Sequence, residues 1–164
     1  MAKQNSNETI LTTIGAVFII VIVIVVVLLI RSKHSNTTIQ SLTPTQTNVA
    51  KQQIEKNWKT FFAASTPLQN REKLLQNGNK FSQPLQEEFT ALSSQASSAV
   101  VNSINVENST SASVAYTVEL NGQPVLKDQT GKALFLNNAW VVSDSTLCGL
   151  LSMGGSHPSA CQNY

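Results

Sequence analysis

Cys148 and Cys161 are the two thiols of this chain, and the run Gly149-Leu150-Leu151-Ser152-Met153-Gly154-Gly155 lies between them. Thiols so placed admit three chemistries. A structural zinc site needs four ligands, and the one further donor nearby is His157. A catalytic thiol needs an activating base, and the chain holds only His34 and His157, the first of them beside a long apolar run. The third chemistry, a structural disulfide, needs only the pair itself, and closing so short a loop stabilises by roughly 3 kcal/mol in the chain-entropy account. It would pin the tail to the last strand, holding Leu147, Leu150, Leu151 and Met153 against the sheet while Gly149, Gly154 and Gly155 let the chain turn. The disulfide is the expectation adopted for Cys148 and Cys161.

Acid–base chemistry would need carboxylates inside a pocket. Glu119 alternates outward with Ser113 and Thr117, and Glu55, Glu72, Glu87 and Glu88 fall on polar helix positions. Asp144, at the end of the last expected strand, is the hardest to dismiss, yet no basic or histidine partner lies within sequence reach. No catalytic residue, metal or cofactor is therefore assigned. The aromatic residues Trp58, Phe62, Phe89, Tyr116, Phe135 and Trp140 are the candidate lining of an apolar pocket. As periodic residues on element faces they also serve as core.

Several elements must position these groups. From Thr9 to Ile30 the 164-residue chain carries no charge. A run of that length spans a hydrocarbon layer about 30 Å thick, which takes roughly 20 apolar residues in a helix. A cleaved signal peptide would show a shorter apolar region and small residues at a cleavage site, whereas "LLIRSKHSN" follows here. The expected organisation is a short cytoplasmic segment 1–8, a transmembrane anchor 9–30, a disordered tether 31–50 and an extracytoplasmic domain 51–164. Flanking charges barely orient the anchor, since Lys3 faces Arg31 and Lys33; the cysteine pair decides for an oxidising compartment outside the cytoplasm. Beyond Asn36, eight basic residues meet eight acidic ones. That balance gives no basic stripe for phosphates and excludes nucleic acid as a partner.

Within the domain the hydrophobic period predicts helices first. Ile54, Trp58, Phe61 and Phe62 share one stripe, Thr66 and Gln69 suggest a capping box with Gly78 as the stop, and Phe81, Leu85, Phe89, Leu92 and Ala96 repeat every three or four residues up to fraying near Ser98. The period then becomes two. "VVNSINVE" turns Val100, Ile104 and Val106 inward, and Ala112, Val114, Tyr116, Val118 and Leu120 alternate with polar or small neighbours. Asn121-Gly122 suits a hairpin, Thr130-Gly131 a bend, Asn137-Asn138 a turn, and "AWVVSD" a last strand. Helices followed by an antiparallel meander make an α+β fold, three helices on a curved sheet of four or more strands. The triplet Asn108-Ser109-Thr110 matches a glycosylation acceptor pattern and is read as chance.

The segments "FFAASTPLQNREKLLQNGNKF", "YTVELNGQPVLKDQTGKAL" and "WVVSDSTLCGLL", with Cys161 after them, occur in an order that resembles the C-terminal domain of the mycobacterial low-molecular-weight secreted antigen family over most of Trp58 to Cys161. The resemblance implies an extracytoplasmic actinobacterial protein with a nuclear-transport-factor-2-like cone, and no established reaction. Unlike those secreted antigens, this chain shows no cleavage site after its apolar run. The expected function is a membrane-anchored, non-enzymatic interaction or accessory module of the cell envelope. The alternative is a binder or carrier of a small apolar ligand, such as a lipid, in the cone. Expected partners are the membrane through one N-terminal span and either envelope proteins or that ligand; fold analogy adds a homodimer.

Overall fold

The computed structural model describes residues 41–91 and 95–164. The segment 1–8, the expected anchor 9–30 and residues 31–40 of the expected tether lie outside these. Among the described residues no helix is long and apolar enough to cross a membrane.

Helix α1 runs over Pro44–Phe62, so the seven residues 44–50, expected in the tether, are its first turns. The signal for this start is local. The Thr43 hydroxyl accepts from the Gln46 amide, the Gln46 side chain accepts from the Thr43 amide, and Pro44 takes the first helical position, where its missing N–H costs nothing. Ala50, Ile54, Trp58, Phe61 and Phe62 form its buried stripe. Next comes α2, Leu68–Lys73, shorter than its sequence suggests. Thr66 does not cap it, because its hydroxyl donates to the Thr60 carbonyl at 2.6 Å and Pro67 takes the cap position without a side-chain bond. Leu74 and Leu75, expected on the helix face, instead lie along the sheet: Val142 N–H donates to Leu74 and Gln76 N–H to Val142, at 2.8 and 2.9 Å. Gly78 opens a 3-10 turn, Gly78–Phe81, rather than ending α2. A Cβ there would collide with the Glu72 carbonyl. Helix α3, Ser82–Ala91, buries Leu85 beside the buried Phe81. The expected continuation through Leu92 lies outside the described residues, and Ser97 already belongs to a strand.

Four antiparallel strands follow in sheet order β1-β2-β3-β4: Ser97–Val106, Ser111–Leu120, Gln123–Leu136 and Ala139–Val142. In β1 the expected inward Val100 is 43% exposed. Ser97 and Ala99 are buried and Val101 packs on the core, but past a register shift between Val101 and Ser103 the packed residues are Ile104 and Val106. One extra residue at Asn102 thus flips the side-chain parity, which is the property of a β-bulge. Strand β2 follows the expected alternation in burying Ala112, Val114 and Tyr116. The β2–β3 hairpin turns at Asn121 and Gly122, with φ of 51° and 74°. Strand β3 then runs unbroken through Thr130 and Gly131, which pair with Ala115 and Val114, so no bend occurs there. After a turn at Asn137 and Asn138, β4 ends at Val142.

Ser143 and Asp144, expected to finish the last strand, start a helix instead. The Ser143 hydroxyl accepts from the Thr146 amide, Asp144 sits where a negative charge complements the helix dipole, and α4 spans Asp144–Met153. Gly149 lies inside that helix, and the chain turns only at Gly154 and Gly155. A second 3-10 turn, Ser159–Cys161, carries the tail back. The result is an α+β domain in which helices pack against a curled four-stranded sheet.

Candidate functional site

The core is aromatic at its centre. Trp58 meets Tyr116 edge-on at 5.2 Å, Phe62 lies 5.4 Å from Tyr116, and Phe61 stands edge-on to Phe62 at 5.2 Å. Helix α1 thus inserts three rings toward the inner face of β2. A single glycine makes room for this approach: a Cβ on Gly131 would lie 2.7 Å from both the Trp58 ring and the Thr146 methyl. Trp58 Nε1 is buried with no hydrogen-bond partner among the described residues. Burial pushes the Tyr116 phenol well above its usual range.

Of the six candidate pocket residues, Trp58, Phe62, Tyr116 and Trp140 are buried in the core cluster. Phe135 lies tilted against Trp140, ring centres 5.3 Å apart, and packs half-buried on the core. Phe62 and Phe89 line an apolar cavity. It measures about 190 Å3 and opens between the end of α1, α3, the sheet and α4, with Phe61, Val118, Leu126, Leu147, Leu150 and Leu151 also in its wall. Met153 stands at its rim, 54% exposed. The polar side chains that line it are Ser97, whose hydroxyl donates to the Phe62 carbonyl at 2.8 Å, and Glu88. Glu88 is half-buried and forms no hydrogen bond or ion pair among the described residues.

Behind this wall lies a residue the sequence did not single out. Arg71 is buried, with Nε donating to the Phe61 carbonyl at 2.8 Å, a terminal nitrogen donating to the Ala63 carbonyl at 2.5 Å, and its guanidinium carbon 3.3 Å above the centre of the Phe89 ring. It closes the C-terminal end of α1, where unpaired carbonyls and the dipole both favour a cation. Burial lowers its pKa to about 10, so it remains charged at neutral pH.

The tail supplies the second polar cluster. Asp144 is buried; one carboxylate oxygen accepts from the Asn77 backbone at 3.1 Å, and the other accepts from the Asn77 side chain at 2.5 Å and from the Tyr164 hydroxyl at 2.8 Å. The bond to Asp144 raises the Tyr164 pKa, with burial adding to it. Cys148 and Cys161 form the expected disulfide, their Cα atoms 5.5 Å apart. Neither His157 nor a metal is needed to explain the pair, and no group of three or more donors able to hold a metal occurs among the described residues. Asn108, first residue of the acceptor triplet, accepts from the amides of Thr110 and Ser111 and so shapes the β1–β2 turn.

The model of one protein family, described as the low molecular weight antigen MTB12, C-terminal domain, matches residues 47–158, more than half of the chain. The chain belongs to this family. No curated protein and no solved structure matches it. Within the antigen domain the matched residues include all four strands, the apolar cavity and Cys148; Cys161 and Tyr164 lie beyond the match.

Proposed function

We propose that this antigen-family protein is a non-enzymatic interaction or accessory module of the cell envelope, anchored by residues 9–30 with its C-terminal domain outside the cytoplasm. The observation that carries this reading is an aromatic centre packed against itself, with Asp144, Arg71 and both thiols each engaged by other groups of the domain. The central rings occupy the space a cone would offer a substrate, Asp144 is held by Asn77 and Tyr164, Arg71 by backbone carbonyls, and the two thiols by each other. Family membership points to an extracellular or envelope protein, and a disulfide fits an oxidising compartment. The likeness to the nuclear-transport-factor-2 cone belongs to the same reading.

The test is made on intact cells expressing the full chain. After an impermeant reductant, an impermeant maleimide should add two adducts to a chain that sediments with the membranes; no labelling before lysis, or a chain in the soluble fraction, sinks the proposed location. Photo-crosslinkers at exposed Val100 and Val125 should then yield a discrete adduct, and a bare monomer at both sites would count against the module. A second reading, uptake of a small apolar ligand, is favoured by one observation, the apolar cavity beside Phe62 and Phe89.

A further inference from the structure

We infer that the cavity at the mouth of the curled sheet selects a small apolar molecule bearing a cationic group, with Glu88 holding the cation; this rests on the second reading above. The cavity wall brings three rings, Phe61, Phe62 and Phe89, together with leucines from β3 and α4. Its volume of about 190 Å3 is below the span usual for drug-sized ligands, roughly 300–1,000 Å3, so the occupant is about the size of one ring with a short chain. Aromatic faces of this kind attract a cation that has shed some of its water.

Charge decides the sign. Glu88 is the ionisable residue in the wall, and no partner among the described residues neutralises its carboxylate. Arg71, packed behind Phe61 and Phe89, is the positive charge that competes with this reading. It does not line the cavity, it lies over the Phe89 ring, and two of its nitrogens are committed to the Phe61 and Ala63 carbonyls. An anionic ligand would therefore meet Glu88 directly while reaching Arg71 only through Phe89. Ser97 offers an anion no donor, because its hydroxyl hydrogen is already given to the Phe62 carbonyl. Met153, unbranched and adaptable, can close over whatever enters.

Met153 also supplies the readout. The chain holds two methionines, Met1 and Met153, so the full chain in zwitterionic nanodiscs, labelled with carbon-13 at the methionine methyls, reports the cavity with one resonance. The probes are phenethylammonium, 2-phenylethanol and 3-phenylpropanoate. Phenethylammonium should shift the Met153 signal saturably and bind about fivefold more tightly than the alcohol, the increment of a partly exposed ion pair, with the carboxylate weakest. Glu88→Gln should bring the ammonium down to the level of the alcohol, and Leu150→Trp, which fills the cavity, should abolish all shifts. Equal binding of the three probes, or preference for the carboxylate, would overturn the cation selectivity while leaving ligand uptake standing. No shift with any probe, or shifts that survive Leu150→Trp, would overturn both.

Discussion

Arg71 shows how much a single side chain can hold together. A buried guanidinium without a carboxylate partner would ordinarily be costly, because the charge gives up its hydration. Here the cost is offset by two charge-assisted bonds to the end of α1 and by the face of Phe89. Arg71→Ala would leave the Phe61 carbonyl without its donor beneath α3 and the Ala63 carbonyl with the Thr66 amide alone, and we expect a loss of about 3 kcal/mol in chemical denaturation. Arg71→Lys keeps the charge but not the planar fork, so it should recover less than half of that loss. A change under about 1 kcal/mol for the alanine variant would show that the carbonyls find water instead. In sequence Arg71 is one of eight basic residues beyond Asn36 and carries no mark of burial. Its partners lie eight and ten positions back around two corners of the chain, a separation no helical or strand period contains.

Gly131 carries the corresponding lesson among the elements. A Thr-Gly pair after a polar stretch reads as a bend, yet β3 passes through it, and the glycine serves the close approach of Trp58 and Thr146. Gly131→Ala should cost about 1–3 kcal/mol by overpacking and should perturb the Trp58 fluorescence, since the added carbon falls against that ring. An unchanged midpoint would mean that the ring moves freely, against the density of the surrounding core. The same distinction explains which elements were legible. Strand β2 and the Asn121-Gly122 hairpin follow from alternation and turn chemistry, which are local. The parity of β1 depended on a bulge at Asn102, which leaves no trace in a pattern of apolar residues. The fates of Leu74 and Leu75 depended on a partner strand nearly seventy residues away. The start of α1 was legible in principle from Thr43, Pro44 and Gln46, but the uncharged polar run around them resembles a tether. Of the candidate pocket, the aromatic inventory was readable. Which of its rings fill the core and that Phe62 and Phe89 border a cavity was not, because the wall is assembled from helices and strands separated by most of the domain.

For the whole domain the question is what keeps the tail in place, since its last residues form only a short 3-10 turn. Two ties act on it: the Cys148–Cys161 bond and the hydrogen bond from the Tyr164 hydroxyl to Asp144. They differ in kind. The covalent tie lowers the entropy of the unfolded chain, and for its separation of 13 residues the loop-closure account gives about 3 kcal/mol. The hydrogen bond reaches a largely exposed tyrosine and contributes little unless the disulfide already holds the tail nearby. Cys148→Ser with Cys161→Ser should therefore lower the melting temperature by roughly 10–20 °C, the shift that 3 kcal/mol produces in a domain of this size. It should also weaken the Tyr164 bond, so that adding Tyr164→Phe costs no more. Hydrogen exchange should quicken first at residues 156–164 and leave β2 and β3 protected, because the core rings do not depend on the tail. If Tyr164→Phe is as costly without the disulfide as with it, the two ties are independent, and Asp144 with Asn77 is an anchor in its own right.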